Sequence, residues 1–253
     1  MVLLRKSADK VYINTGNQDI VHLIDQPGST ILDVGCGGGI LAEILSSKGH
    51  TVDGITISPK EYDATQQYAR HIFLHDLERG LPKEAMQLSY DYIVCSHILE
   101  HIVYPGNLLR DIHKVLKPGG CLLVALPNIM HYKSRLKLLG GNFEYEETGI
   151  WDNTHVKWYT FESAKKLLLP HQFSIELATV TGELPFNSLF SKILPSGVRK
   201  IIFGLLIKIS KGFFGYQLLL KARKVDLHAE KNPRQKRTGH LSFIQPAPAK
   251  PQE

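Results

Sequence analysis

Asp33-Val34-Gly35-Cys36-Gly37-Gly38-Gly39 follows the apolar run Thr30-Ile31-Leu32 and leads directly into Ile40-Leu41-Ala42-Glu43-Ile44-Leu45. A buried strand, a glycine turn and a helix start in immediate succession are the opening unit of a doubly wound α/β sheet. Glycine lets backbone approach a ligand where a Cβ would collide, and the helix that follows presents unpaired N–H groups at its N-terminus. The glycine spacing restricts the ligand. A dinucleotide fingerprint needs a third glycine where Ile40 stands, and a phosphate-cradling loop needs Gly-Lys-Ser/Thr, which is absent. What remains is an acid, Asp33, placed where a cationic amino group could meet it.

This acid-x-Gly-x-Gly-x-Gly run resembles motif I of the class I S-adenosylmethionine (SAM) methyltransferases, which implies SAM as cofactor. In that fold each strand end offers a group to the cofactor, and the first half of the chain can be read against it. The second strand, residues 50–55, runs into Thr56-Ile57-Ser58-Pro59, where the family places an acid for the ribose hydroxyls. Thr56 offers a single hydroxyl, so a looser hold on the ribose is expected. A similar Gly-Ile-Thr-x-Ser stretch occurs in cyclopropane-fatty-acid synthase-like members of the fold. The third strand, 70–75, ends in Asp76-Leu77, matching the acid and apolar residue that the family sets against adenine; Asp76 reads equally as a loop or helix-capping acid. The fourth strand, 90–95, continues into Ser96-His97-Ile98-Leu99-Glu100-His101. The fifth, 121–126, follows an amphipathic helix (Leu108, Leu109, Ile112, Val115, Leu116) and a Pro118-Gly119-Gly120 turn that resembles the family's hallmark after the fourth strand. Carried over, the resemblance gives Asp33, Gly35, Cys36, Gly37, Thr56, Asp76, Leu77, Ser96 and His97 as cofactor-binding residues.

Composition narrows the class. The net charge of +6 is not spread evenly: residues 1–186 hold 17 basic and 21 acidic groups, 187–220 five basic and none acidic, and 221–253 eight basic and three acidic. The excess positive charge therefore lies in one segment and the tail, which argues against a nucleic-acid-binding face around the cofactor. Three cysteines without paired spacing imply neither a disulfide framework nor a zinc knuckle and point to a reducing, cytoplasmic setting. No leader with an apolar h-region and no long uninterrupted apolar stretch is evident.

Residues 198–211 read as an amphipathic helix. Lys200, Gly204, Lys208 and Lys211 share one arc, and Ile201, Ile202, Phe203, Leu205, Leu206 and Ile209 cover the rest. Two uses fit that pattern: a lid closing over the acceptor, or a helix lying in a membrane interface with its lysines among anionic headgroups. Residues 213–222 read as the last strand, and from about Val225 Pro, Gln, Lys and Arg replace apolar periodicity, as in a disordered tail.

Chemistry at an acceptor hydroxyl needs a base, and histidine suits neutral pH. His97, His101, His131 and His155 stand where one could reach the cleft. Pro127-Asn128-x-x-His131 with Arg135 to Gly140, followed by Gly149-Ile150-Trp151-Asp152-x-Thr154-His155, is similar to methyltransferases of polysaccharide and cell-surface glycan clusters, to the methionine-biosynthesis MetW proteins, and to type 11 and type 23 methyltransferase domains. The resemblance spans roughly 12–222 and implies His155, His131, His101 and Glu100 as catalytic residues, with Asp152 or Glu100 orienting a histidine. His97-x-x-Glu100-His101 also has metal-ligand spacing, which His155 could complete, but no metal is expected from the sequence.

The sequence thus predicts an α/β protein: a doubly wound, Rossmann-like, seven-stranded, mostly parallel sheet with an antiparallel last strand and a helical insert before it. The methyltransferase domain is expected over 1–225 with the insert at 187–212, and a basic disordered tail over 226–253. The expected activity is SAM-dependent O-methylation of a sugar, glycan or other small polar acceptor. Two alternatives stay open: a membrane-associated methyltransferase of quinone or lipid precursors touching the bilayer through 198–211, and a weakly SAM-binding partner protein without catalysis. No nucleic-acid partner is expected, and the oligomeric state is open.

Overall fold

The computed structural model describes residues 16–225. Seven strands form one sheet: β1 Thr30–Val34, β2 Thr51–Thr56, β3 His71–Leu74, β4 Tyr90–Ser96, β5 Leu116–Pro127, β6 Phe173–Thr181 and β7 Gln217–Lys224. Their order is β3-β2-β1-β4-β5-β7-β6. The first five strands pair in parallel, and β7 runs antiparallel between β5 and β6. Among the described residues, six α-helices of seven or more residues accompany them: α1 Ile40–Ser47, α2 Pro59–Thr65, α3 Pro105–Val115, α4 Tyr132–Leu139, α5 Phe161–Leu168 and α6 Ser196–Ile209. The expected architecture is present, including the helical segment between β6 and β7.

The central strands β1, β2 and β4 are buried on both faces, so their sequences read as apolar runs rather than polar alternations, whereas the edge strands β3 and β6 carry exposed residues. The period of two still sorts them. Ile31, Tyr92, Val94, Leu123 and Ala125 join one apolar cluster with Leu41, Ala42 and Leu45 of α1. Leu32, Ile93, Cys95, Leu122 and Val124 join the other, with Leu108, Leu109 and Ile112 of α3 and Leu168 of α5. Asp53, fully buried in β2, is compensated by Arg70, whose Nε and Nη2 donate at 3.0 and 2.5 Å, and by the Tyr90 hydroxyl at 3.0 Å. These bonds tie β2 to the residues that begin β3 and β4.

Two local expectations are corrected. Pro118-Gly119-Gly120 is not a turn ahead of the strand but a bulge inside β5: Tyr90 pairs with Leu116 while Tyr92 already pairs with Cys121. Gly119 takes φ +74° there, which a side chain would resist. The last strand starts at Gln217, not at 213, because Ser210 caps a helical turn over Lys211–Phe214 by accepting from the Phe213 N–H. The tail at 226–253 lies outside the described residues.

Candidate active site

Strand order reverses between β1 and β4, and there the carboxyl ends of the strands open into a cavity of about 1220 Å³. The glycine turn forms its floor. Gly35 and Cys36 both donate their N–H to Ile55 O at 2.9 Å, folding the loop across β2. Gly35 sits at φ +79°, and a Cβ on it would stand 2.8 Å from Ile98 Cδ1. Gly39, the N-cap of α1 at φ +84°, would collide with Thr65. Gly35 and Gly39 are therefore required by close packing as well as by backbone conformation.

Asp33 lines this cavity although it is 2 % exposed. Burial alone raises its carboxyl pKa to about 7, with no cation among the described residues to offset it. A buried acid held this way suits a ligand that carries its own positive charge. Gly35, Gly37, Thr56, Asp76, Leu77, Ser96 and His97 line the same cavity. Cys36 does not: its Sγ lies under the loop, facing β2 where a Cβ on Gly54 would come within 2.9 Å. Asp76 accepts from the Glu78 N–H at 3.1 Å as a cap and also lines the cavity.

An acid carried by α2 stands at the end of β2. Glu61, buried and lining the cavity, accepts a 2.6 Å hydrogen bond from the Thr56 hydroxyl, whose oxygen in turn accepts from the Ser58 N–H. Sequence reasoning missed this residue. Ser58-x-x-Glu61 has the spacing of a helix capping box, yet Ser58 makes no side-chain cap and Glu61 turns inward to Thr56. At the opposite end Gln217, also unanticipated, accepts from Asn17 at 2.9 Å and donates to Thr181 at 2.9 Å, and Asn17 reaches Ser96 at 3.0 Å.

The histidines separate into distinct surroundings. His97, at φ +55°, faces the cavity with Nε2 2.7 Å from Gln217 Oε1 and Nδ1 3.4 Å from Glu100. His101 also lines the cavity, and its Nδ1 lies 3.2 Å from Thr154 O and 3.1 Å from Thr154 Oγ1. Thr154 Oγ1 donates to Asp152 at 2.6 Å, so Asp152 reaches His101 through that hydroxyl. Glu100 and His155 stand behind this wall rather than on it. The loop carrying His155 is tied down where Val156 and Lys157 both donate their N–H to Glu100 O at 3.0 Å. His155 Nε2 thereby comes within 3.9 Å of the Glu100 carboxylate. His131 is buried beneath Tyr216, ring centroids 5.3 Å apart, and burial lowers its pKa to about 4. It does not line the cavity, and the sequence expectation that His131 and His155 face the acceptor is corrected to burial behind it.

No residue of α6 lines the cavity; the insert reaches it only through its roots, at Thr181, Gly182, Glu183 and Tyr216. Val198, Ile201, Leu205 and Ile209 form one exposed stripe along α6, Ile201 at 67 % and Ile209 at 78 %. No helix among the described residues is long and apolar enough to cross a membrane.

A protein family described as a methyltransferase domain matches residues 12–177. A ubiquinone biosynthesis O-methyltransferase of Pseudomonas paraeruginosa is 35% identical over 112 residues, 40% of this chain and 45% of the relative. One of Paracidovorax citrulli is 32% identical over 128 residues, 46% of this chain and 51% of the relative. The matches thus span about half the length of these relatives. Among solved structures, a SAM-dependent methyltransferase from Archaeoglobus fulgidus superposes with TM-score 0.59 at 18% identity, covering 82% of this chain and 92% of that one. A methyltransferase from Bacillus halodurans gives 0.56 at 17% identity, covering 83% and 98%.

Proposed function

The chain belongs to the methyltransferase-domain family, and from that premise we propose that it transfers the methyl group of SAM to an oxygen of a small phenolic acceptor of the quinone-precursor type. The observation that carries the cofactor assignment is the polarity of the cavity wall. Asp33 meets the methionine ammonium. Glu61, positioned by Thr56, takes the ribose hydroxyls; Asp76 takes the adenine amino group, with Leu77 against the ring. The cofactor supplies an electrophilic methyl on a cationic sulfur. The protein's part is to align the acceptor oxygen behind that methyl and to draw off its proton, which falls to the polar wall of His97 and His101 backed by Glu100.

Two observations favour a quinone-type acceptor over the sugar or glycan read from the sequence. The curated relatives are named for ubiquinone biosynthesis. The exposed α6 stripe, with exposed Lys200 and Lys208 on the arc along one side of it, suits the interface of an anionic membrane where an apolar acceptor would reside. The deciding experiment offers isotope-labelled SAM with two acceptor pools, phenolic quinone precursors and sugar nucleotides. A labelled aryl methyl ether is the expected product. Methylation confined to the sugar pool would overturn the acceptor assignment, and SAM binding with a co-purifying partner but no transfer to either pool would return the non-catalytic reading.

The membrane contact has its own test. Ile201→Glu, Leu205→Glu and Ile209→Glu combined should weaken sedimentation with phosphatidylglycerol-containing vesicles by about tenfold or more. SAM binding should persist, because these side chains are exposed and remote from the cavity. Unchanged sedimentation would exclude α6 as the contact.

A further inference from the structure

A second cavity, of about 710 Å³, opens beside the active site and shares with it the wall formed by Val103 and Tyr104. Its basic lining sets it apart. Arg110, His113, Lys114, Lys157 and His171 line it, and among the described residues no aspartate or glutamate does. Three separate elements bring these groups together. Asn107, Arg110 and Lys114 follow one another at three- and four-residue steps along one face of α3. Lys157 comes from the loop pinned to Glu100 O, where its own N–H donates at 3.0 Å. His171 ends the helical turn Leu169–His171 ahead of β6, and its imidazole lies so close to α3 that a Cβ on Gly106 would stand 3.1 Å from Cε1. A glycine at that point lets the two walls meet.

The charges are only partly matched within the chain. Lys114 pairs with Asp111 at 2.9 Å. Arg110 instead donates from Nε to Gly106 O at 3.4 Å and from Nη2 to Asn107 Oδ1, both neutral acceptors. Neither Arg110 nor Lys157 pairs with an acid among the described residues. His171 registers that excess: burial first, and then the Arg110 charge, hold its pKa below the ordinary imidazole value. Like charges gathered in a concavity focus a positive field, which draws an anion.

We propose that this second cavity binds the phosphoryl group of a phosphate monoester, held by Arg110 and Lys157. Arginine offers a planar fork of donors that matches two phosphate oxygens, and lysine a point charge for the third. A phosphate monoester carries about −1.5 to −2 charges at neutral pH, which offsets both cations. A carboxylate, with two oxygens and one charge, leaves one cation unmatched. Tyr104, 71 % exposed on the wall, offers an aromatic face to the group esterified to the phosphate. Such a phosphate belongs either to a soluble ester or to a lipid headgroup, and the chemistry recognised is the same.

The test titrates the full-length chain with phenyl phosphate by calorimetry, without SAM. Saturable binding of about one molecule per chain is expected. Arg110→Gln and Lys157→Gln should each weaken it by about tenfold, and phenylacetate should bind the wild type about tenfold more weakly than the phosphate. Lys83→Gln removes the same charge from an exposed position outside both cavities and should leave the affinity unchanged. On loading, the His171 imidazole resonances should move toward those of imidazolium, because the dianion offsets the Arg110 charge. SAM affinity in Arg110→Gln should match the wild type, showing an intact fold and a site separate from the methyl-transfer cavity. Sedimentation with phosphatidic acid vesicles then assigns the source. Binding that is lost in Arg110→Gln and displaced by phenyl phosphate marks a lipid headgroup, and vesicle binding indifferent to both marks a soluble ester. Non-saturating uptake, equal binding of phenylacetate, unchanged affinity in Arg110→Gln and Lys157→Gln, or an equal loss in Lys83→Gln would overturn the site.

Discussion

Asp33→Asn is expected to lower SAM affinity by about 100-fold or more while making the cofactor-free protein more stable above neutral pH. Both effects have one cause. The carboxyl of Asp33 is raised from 3.8 to about 7 by burial, so the folded chain keeps a proton that the unfolded chain has already lost. In the window between about pH 4 and pH 7 the folded state binds more protons, and its stability therefore falls as pH rises. The fall amounts to about 4 kcal/mol once both states are ionised. Asparagine carries no charge to desolvate, so the variant escapes that fall. It also has no charge to offer the methionine ammonium. The same acid predicts how binding follows pH: SAM affinity should rise about tenfold from pH 6 to a plateau near pH 8, as the ionised, binding-competent form becomes the main one. Calorimetry across that range, with chemical denaturation of both proteins at pH 5 and pH 8, checks all three statements. A variant that binds SAM like the wild type would remove Asp33 from the site. One destabilised at pH 8 would show that the carboxylate is compensated in the free protein.

Glu61→Ala is expected to cost about 10- to 100-fold in SAM affinity, although the sequence marks Thr56 as the ribose position. The Thr56 hydroxyl donates to Glu61 at 2.6 Å, so the two side chains act as one acceptor unit. Thr56→Ala should cost about tenfold at most, and the double variant little more than Glu61→Ala alone, because neighbours sharing a bond are not additive. Thr56→Asp restores the residue type common in the family but sets a second carboxylate against the buried one of Glu61. Affinity should fall rather than rise, since like charges in contact cannot both ionise readily. Adenosine and 2′-deoxyadenosine as competitors separate ribose contact from general damage: the wild type should prefer adenosine, and Glu61→Ala should lose that preference. A gain in affinity in Thr56→Asp would refute the assignment.

The site was legible wherever its residues belong to one strand and the turn after it. Asp33 and the glycines, and Asp76 with Leu77, line the cavity as expected because a parallel strand delivers its end to the sheet's edge wherever the rest of the chain goes. Cys36 belongs to the same turn, yet its side chain points under the loop; alternation along seven residues could not resolve that. Glu61 was hidden because its spacing from Ser58 matches a helix cap equally well. The histidines were identified as a set but not sorted. Only packing places His97 and His101 on the cavity wall, His155 behind Glu100 and His131 beneath Tyr216.

By itself the sequence determined the order of elements, the burial of the central strands and the acidic, glycine-floored strand ends. These follow from side-chain periodicity and from backbone angles that glycine alone adopts freely, and both are local properties. The tertiary structure decided which side chains meet. Glu61 joins Thr56 because α2 folds back over β2, and His155 reaches Glu100 because the N–H groups of Val156 and Lys157 bond to Glu100 O. The first pair is only five positions apart, but its spacing fits a helix cap equally well; the second joins residues more than fifty positions apart and leaves no period or spacing in the chain.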